Sequence, residues 1–421
     1  MNTYLQQRTL HPPQIRRRPA PNLGMVVVIP AYDEPFLLRS LMSLHKCEPP
    51  RCSVEIIVVV NDSERDSKEV IERNLEIANQ VDEWSRKNSR PERYYHVLYH
   101  SKLFHKHSGV GLARKIGMDE AVFRLEKAKN KRGVIVCFDA DSKCDRNYLS
   151  EIDRHFREQT KTQACGIHFE HPLHGIDQED DVYEAILDYE LHLRYYVNAQ
   201  RFAGFPFAYQ TIGSSMAVRC DAYQQQGGMN RRKAGEDFYF LHKFIPLGKF
   251  TELNTTRVIP SPRCSHRVPF GTGKAVAELI KSKGEYLTYA PQSFIDLKIF
   301  FSIVSKLRTV DVPETEIIIG SLPQSIQAFL TEVNFSENLL EIQKNTKNAK
   351  TFKTRFFRWF NAFMLMKYVH FARDHYYPNV SIAETSAWLL IESKVDNTQP
   401  LSKLDMLKSW RKIDRAATFP K

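Results

Sequence analysis

Val134-Ile-Val-Cys-Phe-Asp139-Ala-Asp141-Ser142 is the stretch from which the fold can be read. Five apolar residues in a row, set off by Gly133 and closed by two acids, predict a strand buried on both faces that ends at a charged edge. Burial on both faces calls for a sheet with helices on either side, and such sheets bind ligands at the carboxyl ends of their parallel strands. One Ala between two Asp lets both carboxylates approach a single hard cation, directly or through water. Mg²⁺ or Mn²⁺ shared with a phosphorylated substrate is the natural occupant. The same acids can also form a turn that caps the next segment, and the motif alone does not decide between the two.

Upstream, the pattern repeats. Met25–Ile29 predicts a first buried strand, broken sharply by Pro30-Ala-Tyr32-Asp33-Glu34-Pro35, and Phe36–His45 carries apolar residues at helical spacing. Val54–Val60 is a second strand ending at Asn61-Asp62-Ser63, residues 66–88 a polar helix, Tyr94–Tyr99 a third strand, and Leu112–Lys127 a helix after Ser108-Gly-Val-Gly111. Strands alternating with helical crossovers predict a doubly wound α/β sheet, mostly parallel, over about 24–145. Residues 146–275 form a looser half, with helices near 153–159 and 180–200, strands at Cys165–Phe169 and Thr211–Val218, and a helix opened by Ala234-Gly-Glu236-Asp237. Residues 276–421 read as a mainly helical C-terminal extension, and the Pro- and Arg-rich residues 1–22 as a flexible or draped arm.

Apolar residues make up 42% of the 421 and aromatics 11%, enough for a substantial core, which excludes wholesale disorder. The net charge of +11 suits an anionic partner, whether a nucleotide, a nucleic acid or an acidic membrane face. Seven scattered cysteines without zinc spacing predict reduced thiols. Gln14–Arg18 is polar and basic where a signal peptide needs an apolar run, and no stretch approaches the length of a membrane span. The expected location is therefore cytoplasmic, at most at the inner face of a membrane. Phe352–Tyr377, rich in aromatics and dotted with Lys and Arg, offers either such a membrane contact or the core of a helical appendage.

Polar groups stand at several predicted strand ends at once: Pro30–Glu34, Asn61-Asp62 and Asp139–Asp141. In a parallel sheet these ends share one edge, so they converge on one site. Together with Gly-Leu-Ala-Arg-Lys-Ile-Gly at 111–117 and Gly-Glu-Asp at 235–237, and in this order, they resemble the family 2 glycosyltransferases of the GT-A fold. The resemblance spans about residues 24–270. It implies a GT-A domain at 23–275 that moves a sugar from a nucleotide-diphosphate sugar to an acceptor hydroxyl, usually with inversion. The acceptor class stays open among glycan, lipid and small molecule, and nucleic acid is not expected as a partner.

The resemblance also implies roles. Tyr32 would lie against the nucleobase, with Pro30 and Ala31 shaping the turn; Glu34 would contact the nucleoside and Asp62 would accept from the base. Arg114, in the first turn of a helix behind two glycines, would face the diphosphate, while Lys115, where the family more often has Asn, is expected at the solvated surface. Asp139 and Asp141 would hold Mn²⁺ or Mg²⁺ against the leaving diphosphate, Asp141 the more directly. Asp237 would be the base that deprotonates the acceptor, with Glu236 orienting it. Farther on, His266 would complete the metal site and Arg263 or Arg267 would bind diphosphate from a Gly-rich loop. Two other readings remain: a nucleotidyltransferase acting on a sugar phosphate, and a non-enzymatic α/β protein that binds nucleic acid.

Overall fold

The protein is described by a computed structural model that covers residues 2–106, 108–265, 271–394 and 401–416. Its elements run α1 (Thr3–Gln7), β1 (Leu23–Ala31), α2 (Leu37–His45), β2 (Ser53–Ser63), α3 (Lys68–Asn88), β3 (Arg93–Leu103), α4 (Val110–Lys127), β4 (Val134–Cys137) and β5 (Lys143–Cys144). Then follow α5 (Tyr148–Glu158), β6 (Ala164–Phe169), α6 (Asp180–Phe202), β7 (Met216–Arg219), α7 (Cys220–Gln225), α8 (Glu236–Leu241), β8 (Phe250–Ile259) and α9 (Thr272–Ser282). The chain divides into two compact units, residues 1–179 with 211–275, and residues 180–210 with 276–421.

The first unit is built on an eight-stranded sheet in the order β3-β2-β1-β4-β7-β6-β8-β5. The first four strands of that order are mutually parallel, as the alternation of apolar runs and helices predicts, and β6 also runs parallel to β8; β7 and β5 pair antiparallel. Every residue of β2 and β4 is buried, so the continuous Val and Ile runs meet helices on both faces. The expected strand at Thr211–Val218 shrinks to Met216–Arg219, with 211–215 as an approach loop. No element was expected at Phe250–Ile259, yet β8 fills the ten residues between α8 and the loop at 260–265.

The arm before β1 lies along α4 and explains why that helix is buried almost all round. Tyr4 donates from its hydroxyl to Asp119 Oδ1 at 2.7 Å, Glu120 accepts from the amides of Gln14 and Ile15, and Arg124 donates to the Arg17 carbonyl while pairing with buried Glu55. Lys115, expected at the surface, is instead buried and donates to Asp119, to the Tyr4 hydroxyl and to the Arg8 carbonyl. A buried ammonium needs such partners, and the arm supplies them.

The second unit contains α6 and a helical array of α10 (Pro291–Ile303), α11 (Val312–Gly320), α12 (Gln324–Glu332), α13 (Phe335–Lys344), α14 (Ala349–Trp359), α15 (Ala362–His375), α16 (Ile382–Glu392) and α17 (Lys403–Arg415). A short antiparallel pair joins β9 (Leu287–Thr288) to β10 (Val380–Ser381). On α6, Arg194 is buried between Glu190 and Asp414. The aromatic stretch 352–377 turns its rings into this unit: Phe352, Phe356, Phe357, Phe360 and Tyr368 are buried, and Phe300 packs edge-on against Phe360. Those rings form a core of helix against helix and are not exposed as a membrane-facing stripe; Phe363 remains outside. Among the described residues no helix is long and apolar enough to cross a membrane.

Candidate functional site

The carboxyl ends of β1 and β4 open into a cleft of about 430 Å³ in the first unit. Pro30, Ala31, Tyr32 and Glu34 line it from the end of β1, and Asp139, Ala140 and Asp141 from the end of β4. The turn after β1 is sharp because Asp33 takes a left-handed φ of 49°, which Asp tolerates better than most residues. It is held there by Arg73, whose Nε donates to Asp33 Oδ1 at 2.7 Å. This turn aims buried Glu34 inward, where one of its oxygens accepts from the Phe36 amide. Across the cleft, the Ser40 hydroxyl on α2 donates to the Ala140 carbonyl at 2.7 Å and so fixes the acidic turn.

Two arginines neutralise these acids. Arg263, from the loop after β8, pairs with Glu34 and lies 3.1 Å from Asp141 Oδ2. Arg114, on the first turns of α4, donates to Asp139 and to Glu236. Burial opposes the Arg114 charge, but Asp139 and then Glu236 offset it and hold the guanidinium firmly protonated. Two glycines admit this cluster. A Cβ on Gly111 would meet the Arg232 carbonyl oxygen at 2.1 Å, so only Gly lets the segment before α8 lie on α4; a Cβ on Gly213 would meet the Arg114 guanidinium at 2.5 Å.

That close approach brings Glu236 and Asp237, the opening residues of α8, next to Arg114. Burial pushes the Glu236 carboxyl up to about 7, with Arg114 opposing and Asp237 adding. Asp237, whose Oδ1 accepts from the Phe238 amide at 2.7 Å, is also raised above the ordinary carboxylate value, burial again being the largest cause. A carboxylate raised in this way is a stronger base than a solvated one.

Several expectations land elsewhere. Asp62, expected to meet a nucleobase, is fully buried; its oxygens accept from the Tyr99 hydroxyl at 2.7 Å and the Lys102 amide at 2.6 Å, while Asn61 and Asp66 line the cleft. Arg114 lies behind Asp139 and is not part of the cleft lining, and Gly111 faces protein backbone where an anion was expected. Arg263 reaches the acidic turn, whereas His266 and Arg267 lie outside the described residues. Among the described residues no group of three or more His, Cys, Asp and Glu side chains converges as a metal-binding set. His105, Ser108 and Lys233 line the cleft without having been singled out. The reach of β3 to Leu103, four residues past its expected end, is what carries His105 to the shared edge, and Arg231-Arg232-Lys233 ahead of Gly-Glu-Asp was the available sign of a basic wall.

The family described as glycosyl transferase family group 2 matches residues 134–282, from the first residue of β4 to the last of α9. No curated protein matches the chain. Similar solved structures include the S. aureus TarS fragment 1-349 in complex with UDP-GlcNAc, at 15% identity and a TM-score of 0.40 over 80% of this chain and 92% of that one. The same fragment in complex with UDP aligns at 13% identity and a TM-score of 0.38 over 95% and 93%. The matched residues include both Asp139-Ala140-Asp141 and Gly235-Glu236-Asp237, so over this third of its length the chain is similar to that family at both acidic motifs.

Proposed function

We propose that the protein transfers a sugar from a nucleotide-diphosphate sugar to an acceptor hydroxyl with inversion, using Mn²⁺ or Mg²⁺. The observation that carries this reading is the convergence of Tyr32, Glu34, Asp139 and Asp141 on one cleft at the carboxyl ends of parallel strands. Tyr32 offers an aromatic face for the nucleobase at the cleft wall.

Asp139 and Asp141 suit a hard divalent cation by their chemistry: two carboxylates on the cleft wall leave the rest of the shell to water and diphosphate oxygens, the arrangement Mg²⁺ prefers. When bound, such a cation supplies electrostatic stabilisation to the departing nucleoside diphosphate. Arg114 holds Asp139 in place, and Arg263 exchanges its bond to Asp141 for a phosphate oxygen as the donor enters. Asp237 takes the proton of the acceptor hydroxyl as that oxygen bonds to the anomeric carbon on the face opposite the leaving group. Its raised pKa supports this assignment. Glu236, tied to Arg114, sets the position of α8 and thereby of Asp237.

The test is release of nucleoside diphosphate from a panel of nucleotide sugars with Mn²⁺ and candidate acceptors. Asp237→Asn is expected to slow acceptor-dependent turnover by roughly 10²–10⁴-fold while leaving donor binding intact, and Asp141→Asn to weaken donor binding and abolish the response to Mn²⁺. Undiminished turnover in Asp237→Asn would remove it as the base. Pyrophosphate release from a nucleoside triphosphate and a sugar phosphate would replace this reading with nucleotidyl transfer, and an α-to-β outcome is read from the anomeric proton coupling of the product.

A further inference from the structure

Among the described residues, the charges on the cleft wall are matched in ion pairs except at Asp66, which accepts from the Ser63 amide, and at Lys233. Asp139 is held by Arg114, and Glu34 and Asp141 by Arg263. Lys233 lines the same cleft, and among the described residues no carboxylate lies within ion-pair distance of its ammonium. Its Nζ is 3.5 Å from His105 Nε2, and His105 in turn has its Nδ1 3.3 Å from the Ser63 hydroxyl at the end of β2.

The position of Lys233 is built by close packing. A Cβ on Gly109, the residue that precedes α4, would lie 3.3 Å from both Cα and Cγ of Lys233. The lysine backbone and stem therefore rest on the start of α4, and Gly109, Val110 and Lys233 form a continuous part of the wall. A flexible side chain elsewhere on the surface would wander; here its stem is fixed and its head is left in the cleft.

We propose that Lys233 is the cation that receives the diphosphate of the donor, the role that sequence alone points to for Arg114. This rests on the nucleotide-sugar reading of the cleft. Four carboxylates on the wall, Glu34, Asp66, Asp139 and Asp141, repel a diphosphate; Arg114 is committed to Asp139 and Glu236, and Arg263 must first give up a carboxylate, so Lys233 is the cation that meets the diphosphate without breaking an ion pair. A lysine ammonium binds phosphate as a compact point charge that needs no planar partner, so it can follow the diphosphate as the bond to the sugar breaks. The segment that carries Lys233 also carries Glu236 and Asp237, so diphosphate binding is coupled through three residues of chain to the placement of the base.

Ligand-observed NMR on the full chain with Mn²⁺, using UDP, GDP and ADP beside uridine, guanosine and adenosine, tests the assignment. Lys233→Ala is expected to weaken the preferred nucleoside diphosphate by roughly 10- to 100-fold with the nucleoside unchanged, and Lys233→Arg to recover most of the loss. An unaltered diphosphate affinity in Lys233→Ala, or equal losses for diphosphate and nucleoside, overturns the role of Lys233 and leaves the nucleotide-sugar reading in place. If the unmutated protein binds none of the nucleotides, that reading falls and the assignment falls with it.

Discussion

Arg114 and Arg263 stand on either side of Asp139-Ala140-Asp141, yet their surroundings give them different work. The Arg114 side chain is 3% exposed and its guanidinium is divided between Asp139 and Glu236, the latter equally buried. Arg263 is 14% exposed and spans Glu34 and Asp141, which both line the cleft. Withdrawing Arg114 would strand Glu236, a carboxyl that water reaches poorly, so it belongs to the frame. Arg263 can let go, because a phosphate oxygen can replace its partners on the arginine and a cation can replace the arginine on Asp141. The same side-chain chemistry thus serves as a fixed support in one place and as an exchangeable contact in the other, and burial decides which.

Substitution of each arginine breaks or sharpens this contrast. Arg114→Ala is expected to lower unfolding free energy by about 3–5 kcal/mol, since it leaves buried, unpaired charge, and to abolish transfer by releasing α8. Urea denaturation followed by circular dichroism measures the first and product formation the second; a stable but inactive variant would make Arg114 a ligand contact and erase the distinction. Arg263→Ala is expected to cost about 1–3 kcal/mol of stability, because water in the cleft reaches Asp141 and buried Glu34 keeps its bond from the Phe36 amide. Its larger consequence is a donor KM raised roughly 10-fold with kcat changed less. A loss of stability as large as that of Arg114→Ala would place both arginines in the frame.

How much of this was legible beforehand follows from the same distinction between local pattern and packing. The strands that build the cleft are long apolar runs, and their parallel direction and charged ends were readable because burial on both faces imposes a composition. β8 was not, since Phe-Thr-Glu-Leu-Asn-Thr-Thr-Arg-Val-Ile mixes polar and apolar residues and its burial is only partial. That Asn61 lines the cleft while Asp62 turns inward was hidden for a related reason: every residue of β2 is buried, so neither side of the strand end announces which side chain meets the cleft. Lys115 was misplaced because its partners, Tyr4 and Arg8, come from an arm more than 100 residues away in sequence. Arg114 was expected at the diphosphate, but its partner Glu236 is 122 residues distant, and only the packing of Gly111 and Gly213 around it shows that its charge is already spent.

A pH profile tests whether burial or pairing governs the deeper cluster. Burial, with Asp237 adding and Arg114 opposing, lifts Glu236 from an ordinary 4.5 to about 7. Between those values the folded protein holds a proton at Glu236 that the unfolded chain has released. Stability at this group is therefore full below pH 4.5 and is lost as pH rises through 7, by on the order of 3 kcal/mol. Asp237, raised in the same direction, adds to the slope. Urea midpoints measured between pH 5 and 7 without metal or nucleotide should fall with pH, and Glu236→Gln, which keeps the shape and removes the titration, should flatten the profile. If pairing with Arg114 instead dominated, Glu236 would be ionised throughout, the folded state would release protons more readily than the unfolded chain, and the midpoints would rise with pH. A rising profile would make the Arg114 cluster an ion pair strong enough to outweigh its own desolvation, and the rigidity of the frame would then come from charge and not from burial.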